Sequence, residues 1–356
     1  MSKLINLIRP DLRDFNAYSS ARDEASTGKI WLNANESPYP FAIENNLFIN
    51  RYPEKQPNRL VNLLSSIYNV SVSQIVISRG SDEVIDLLTR LFCSAGIDSM
   101  MICPPTFGMY SVCAKLQNAK LVEVPLIAKN GFQLDLSSIM AQYNATVKII
   151  FLCSPNNPTG NLINKKDIIS LCENLHDQCI VVVDEAYVEF SDSESLATMI
   201  NQYENLVILR TLSKAYGLAG ARCGILLAQA EIAQSITKII PPYPVPMNTS
   251  EIVFQTLTSK QNEIQKQIEC IKLERARLFD ILKTMSLVKT VYQSAANFLL
   301  FESDNAEQIM AECTKHGIIL RKMKGKLGLE NCIRVSIGLR DENNQFIAVL
   351  ENMRSI

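Results

Sequence analysis

VKIIFLCSPNNPTG at 147–160, CIVVVDEAY at 179–187 and NLVILRTLSKAYGLAGARCG at 205–224 share one design: a β-branched apolar run stops abruptly at polar and turn-forming residues. Runs that are apolar at consecutive positions are expected of strands buried on both faces by helices. Four more runs fit the same reading: IVIS at 75–78, MMIC at 100–103, KLVEV at 120–124 and CGILLA at 223–228. Longer helical patterns lie between them. In SDEVIDLLTRLFC, Val84, Ile85, Leu87, Leu88, Leu91 and Phe92 make a wide apolar stripe, and Ser81 stands where an N-cap is expected. This alternation predicts an α/β fold, with a large domain built on a mostly parallel seven-stranded sheet covered by helices.

Four prolines in PPYPVP, 241–246, forbid regular structure and suggest the end of that domain. A long helical stretch follows, IQKQIECIKLERARLFDILK. After it come the strand-like TVYQSAANFLLFE, a helix near 305–316, the strands IILR and CIRVSIG, and a last helix after Asp341. The expected division is a large domain over 46–246 and a smaller α+β domain assembled from 1–45 and 247–356.

Composition narrows the function classes. Of 356 residues, 47% are apolar and 20% charged, and Lys plus Arg at 35 nearly balances Asp plus Glu at 36. That balance gives no electrostatic footprint for nucleic acid or lipid surfaces, so small-molecule chemistry is the expectation. The start MSKLINLIRPDLRDF interrupts its apolar residues too early for a signal h-region, and no later run reaches the length of a membrane span. Ten cysteines in such a chain read as reduced core residues, which implies the cytoplasm. With no C-x-x-C pair, and with His176 and His316 isolated, no metal site is expected.

Ligands of open parallel sheets bind beyond the carboxyl ends of the strands. Asn157, Asp184 and Lys214 fall at three such ends, with room for one return helix between each, so they can converge on one cleft. These group types suit pyridoxal 5'-phosphate, whose chemistry is carbanion stabilisation by a protonated pyridine ring. Asp184 would favour the pyridinium. Lys214 would attach to the aldehyde and later move a proton, and Tyr187 and Asn157 would donate to the ring oxygen. For the phosphate, Gly80-Ser81-Asp82 opens a helix after a strand, and Ser213 and Arg222 flank Lys214. Asp82 conflicts with an anion unless it turns outward into the helix dipole. Singly, each residue also fits an N-cap, a solvated lysine or a β-turn; the whole set in this order does not.

Through SPNNPTG, DEAY and SKAYGLAGARCG the chain resembles the fold-type I pyridoxal-phosphate-dependent aminotransferases. More narrowly it resembles histidinol-phosphate aminotransferases, from LNANESP, RYPEKQP, SRGSDE and CPPTFGMYSV through to IILR and RVSIGLR. The resemblance implies transfer of the amino group of L-histidinol phosphate to 2-oxoglutarate, with Lys214 as Schiff-base lysine. It also implies that Tyr110 stacks on the cofactor ring and that Arg334 clamps the substrate anion with help from Arg321 and Tyr18. Tyr52 would reach the cofactor phosphate of a neighbouring subunit, implying a homodimer with shared active sites. An aromatic amino-acid aminotransferase or a phosphothreonine decarboxylase is the alternative on the same scaffold. A non-enzymatic pyridoxal-binding regulator would need a DNA-reading module for which the chain has no spare residues. Two departures from the family pattern are Leu339, where a threonine is expected, and Gly217.

Overall fold

The computed structural model describes residues 3–15, 42–43 and 47–353. A short helix, α1 (Pro10–Arg13), and a small ladder of β1 (Ala42–Ile43) with β2 (Leu47–Phe48) precede the main body. The seven expected strands all form: β3 (Ile75–Ser78), β4 (Ser99–Ile102), β5 (Lys120–Glu123), β6 (Val147–Cys153), β7 (Ile180–Asp184), β8 (Leu206–Thr211) and β9 (Gly224–Leu227). They make one sheet in the order β3-β9-β8-β7-β6-β4-β5, parallel throughout except for β9, which runs antiparallel to both neighbours.

Successive side chains of a strand point to opposite faces, and here both faces are dry. Ile150, Leu152, Val181, Val183 and Ile208 meet α2 (Asn58–Tyr68), α5 (Leu136–Gln142), α6 (Lys165–Asn174) and α8 (Met247–Ser259) on one side. Ile149, Phe151, Ile180, Val182 and Val207 meet α3 (Ser81–Phe92), α4 (Met109–Leu116) and α7 (Ala230–Ile239) on the other. This is why the strands read as unbroken apolar runs. Each fully buried Val, Leu or Ile contributes about 1.5–3 kcal/mol of transfer free energy.

A second, antiparallel sheet has the order β10-β11-β13-β12, from β10 (Thr290–Tyr292), β11 (Phe298–Glu302), β12 (Arg321–Lys322) and β13 (Cys332–Ser336). One face is covered by α9 (Gln261–Lys283), α10 (Ala306–Lys315) and α11 (Arg340–Met353) through Leu278, Leu282, Ile309, Phe346 and Leu350. Its Leu300 and Cys332, with Met323 and Leu329, join the core beside the large sheet instead, so the two units share apolar contact.

Two expectations about the division need correction. Leu4, Leu7 and Ile8 pack with α3 and α7, and Arg9 N–H donates to Leu91 O at 3.0 Å, so residues 3–13 lie on the large unit, not the small one. The large unit also continues past PPYPVP, because Val253 and Leu257 of α8 are in its core; the crossing falls within the 23-residue α9. The ten cysteines are free thiols, nine of them buried and Cys270 exposed. Among the described residues no helix is long and apolar enough to cross a membrane.

Candidate active site

The carboxyl ends of β6, β7 and β8 open into a cavity of roughly 600 Å³, lined also by residues of the small sheet. Asn157, Asp184, Tyr187, Ser213, Lys214 and Arg222 all border it, as do Ser81 and Asp82 from the start of α3 and Arg321 and Arg334 from β12 and β13. Tyr18 lies outside the described residues. Tyr52 does not border this cavity; it is exposed and stacks on Tyr243 with ring centres 4.4 Å apart.

Asp184 closes β7 and is only 3% exposed. Its Oδ2 accepts the Tyr110 hydroxyl at 2.8 Å and its Oδ1 the Ala186 N–H at 3.1 Å. Burial pushes its pKa up to about 6, while those two hydrogen bonds hold it down; the nearby charges of Asp82 and Glu185 add to the rise. No cation pairs with it among the described residues. A buried carboxylate lacking a counter-charge is a partner awaiting a cation.

Lys214 follows β8 and has its Nζ 5.8 Å from the centre of the Tyr187 ring. Desolvation lowers its pKa first, then the charge of Arg334, against smaller opposing effects of Asp82 and Asp184. Tyr187 is wedged edge-on against Phe298, with its hydroxyl 3.5 Å from Asn157 Nδ2. Asn157 Oδ1 accepts Arg334 Nη1 at 2.5 Å, which ties the small sheet to the end of β6. Gly217, three residues beyond Lys214, has φ +66 with open space about its α-carbon, so the turn itself asks for glycine there. Leu339 is exposed and offers no side-chain donor.

The putting together of an anion cradle depends on close backbone approach. A Cβ on Gly224 would come within 2.2 Å of the Gly80 carbonyl carbon, and one on Gly80 within 2.6 Å of an Arg222 nitrogen. The N-cap of α3 is Gly80, at φ +94, not Ser81, which stands one residue inside the helix with its backbone N–H free of helical partners. Asp82 does not turn away. It borders the cavity with Oδ2 at 3.5 Å from Arg222 Nη2, so the guanidinium already answers its charge.

Tyr110 departs from its expected place. It is fully buried, lies against Phe151 with ring centres 4.8 Å apart, and spends its hydroxyl on Asp184. Of this segment, the aromatic that borders the cavity is Phe107, three residues earlier, alongside Tyr187 from beyond β7. Also unforeseen is the buried ion-pair group beneath the site. Arg210 donates to Glu185 Oε2 at 3.2 Å and to Glu189 Oε1 at 2.6 Å, and Ser195 and the Leu196 N–H bind Glu185 as well. Since Glu185 adjoins Asp184 and Arg210 is the next-to-last residue of β8, this group holds two strand ends together. Arg210→Ala leaves two carboxylates buried without their cation, and thermal or urea unfolding is expected to show a loss of about 3–5 kcal/mol; a loss below 1 kcal/mol would mean the pair contributes nothing net.

Residues 20–349 match the family model for aminotransferase class I and II. A histidinol-phosphate aminotransferase of Buchnera aphidicola subsp. Melaphis rhois is 43% identical over 353 residues, covering 98% of each chain. The chain belongs to the histidinol-phosphate aminotransferase family. A second member, from Francisella philomiragia, is 42% identical over 98% of this chain and 96% of its own. The solved histidinol-phosphate aminotransferase of Clostridium acetobutylicum superposes with a TM-score of 0.79 at 25% identity, over 86% of this chain and 91% of that one. The cofactor of this aminotransferase family is pyridoxal 5'-phosphate. The residues of the cavity fit it: a buried carboxylate without a counter-charge for a pyridinium, an amine of lowered pKa, donors for a ring oxygen, and backbone N–H groups with a guanidinium for a phosphate.

Proposed function

We propose that this histidinol-phosphate aminotransferase moves the amino group of L-histidinol phosphate to 2-oxoglutarate, giving imidazole acetol phosphate and glutamate, in histidine biosynthesis. What carries the reading is a single cavity that Lys214 borders, with the buried Asp184, which has no counter-charge among the described residues, at its floor and the cations Arg321 and Arg334 along its small-sheet side. When bound, pyridoxal 5'-phosphate supplies an electron sink for the carbanion left when the substrate carbon loses its proton. Asp184 would hold the ring nitrogen and favour its protonated form, because a desolvated carboxylate is stabilised by a cation beside it. Lys214, whose lowered pKa favours the neutral amine, would be the group at this cavity able to accept and return the proton of the substrate carbon. Tyr187 and Asn157 would donate to the ring oxygen, and Ser81, Ser213 and Arg222 would hold the phosphate.

Both half-reactions use this cavity. Histidinol phosphate offers a phosphate and no carboxylate, whereas glutamate offers two carboxylates. A guanidinium such as that of Arg334 binds either anion with the same planar donors. Cofactor-loaded protein given L-histidinol phosphate, phenylalanine or phosphothreonine separately is expected to change its visible absorption rapidly with the first alone. Faster conversion by phenylalanine, or carbon dioxide released from phosphothreonine, would overturn the substrate.

The working unit in this proposal is a cytosolic homodimer. Its free, mostly buried thiols suit a reducing compartment, and the exposed Tyr52 is assigned to the site of the neighbouring subunit. Mixed subunits test the sharing. Lys214→Ala and Tyr52→Ala chains, each impaired alone, are expected to regain activity when exchanged with one another, because one site of each hybrid then has both native residues; no regain sinks the shared site.

A further inference from the structure

Between Arg321 on β12 and Arg334 on β13 the chain makes a turn that brings a third cation, Lys326, to the same cavity. The turn is held in place. Met323 and Leu329 at its ends are 5% and 1% exposed, and Gly325 and Gly328 take φ +72 and +69 between them. Lys326 Nζ reaches across the cleft to donate to Thr106 O at 2.7 Å. That acceptor is itself fixed, since Thr106 is buried and its hydroxyl donates to Asn156 Oδ1 at 2.9 Å.

An ammonium carries three N–H donors, and the carbonyl of Thr106 uses one. No carboxylate forms an ion pair with Arg321, Lys326 or Arg334 among the described residues. Partial burial lowers the pKa of Lys326, with Arg321 and Arg334 lowering it further and Glu123 opposing them. Three cations gathered without a counter-charge are relieved by an anion.

We propose that Lys326 is a specificity-determining residue that binds the phosphate of the substrate beside Arg321 and Arg334, favouring a phosphate dianion over a carboxylate. This rests on the reading above that the amino donor is phosphorylated. A phosphate monoester carries a charge of about −1.5 to −2 at pH 7 on three acceptor oxygens, which suits three separate donors. A carboxylate has one charge and two oxygens, and one guanidinium satisfies it in bidentate fashion. The rival role for Lys326 is a strap from the turn to Thr106 alone.

Lys326→Gln separates the two roles, because an amide N–H can still donate to the Thr106 carbonyl while the charge is gone. Cofactor-loaded wild type, Lys326→Gln and Lys326→Arg would be compared by steady-state kinetics with both substrates and by inhibition with inorganic phosphate. In Lys326→Gln the KM for L-histidinol phosphate and the inhibition constant of phosphate are expected to rise about tenfold or more, as for a lost charged hydrogen bond. The KM for 2-oxoglutarate should change much less, kcat should hold, and Lys326→Arg should recover most of the loss. Unchanged phosphate inhibition in Lys326→Gln, or equal weakening of both substrates, overturns the proposal. If wild type does not accept L-histidinol phosphate at all, the substrate reading fails separately, and phosphate inhibition still decides for or against Lys326.

Discussion

Lys214→Ala is expected to abolish measurable transamination, with kcat falling at least about 10⁴-fold, since both the covalent attachment and the proton carrier are removed. The protein should still bind pyridoxal 5'-phosphate through the Ser81 and Arg222 side of the cavity, because those donors sit on other segments of the large sheet. Denaturation followed by gel filtration therefore discriminates: wild type, once its covalent link is reduced with borohydride, keeps the cofactor, and the variant releases all of it. The fold should survive, as Lys214 has no ion-pair partner among the described residues. Activity within tenfold of wild type would refute the central assignment.

Asp184→Asn tests the other pole. Replacing the buried carboxylate by a neutral amide leaves an oxygen for the Tyr110 hydroxyl but removes the charge beside the ring nitrogen, and kcat is expected to fall by about 10²–10³, the range for a preorganised electrostatic partner. The same variant has an effect on stability that turns with pH. In the cofactor-free protein burial pushes the pKa of the carboxyl up to about 6 from its ordinary 3.8. The folded state thus holds its proton more tightly than the unfolded state, so ionising the group weakens the fold as pH rises from about 4 through 6. Asparagine does not titrate, so the stability of Asp184→Asn relative to wild type should improve by up to about 3 kcal/mol between pH 4 and pH 8. Urea unfolding of both cofactor-free proteins at the two pH values measures this. A difference independent of pH would show that Asp184 is not charged at a cost in the empty cavity.

Six of the seven strands were readable because they are buried on both faces, leaving an apolar run with a sharp polar end, while β5 at the sheet edge is partly exposed; VKIIFLC at 147–153 and IVIS at 75–78 coincide with β6 and β3. An apolar run has no direction, however, so nothing in CGILLA told that β9 enters the sheet antiparallel. The strand-end residues Asn157, Asp184 and Lys214 could be read for the same reason as the strands. Phe107 and Tyr110 could not be told apart, since which ring meets the cavity depends on α4 beginning at Met109 and turning Tyr110 inward against Phe151. Arg210 and Lys326 were invisible because their partners lie far along the chain, Glu185 and Glu189 for the first and Thr106 for the second. The apolar content of α8 likewise gave no hint that it would pack beside α2 and so carry the large unit past the prolines.

The backward course of β9 has a further result. Its first residue, Gly224, pairs with Ser78 at the end of β3, so Arg222 arrives beside Ser81 by a chain segment that has just left Lys214. In the proposed assignment every group that grips the cofactor in this chain, covalent or ionic, therefore belongs to one sheet, while Arg321, Lys326 and Arg334 belong to the other. On that assignment, substitutions of the small-sheet cations are expected to change the binding of substrate and product while leaving retention of the cofactor to the large sheet.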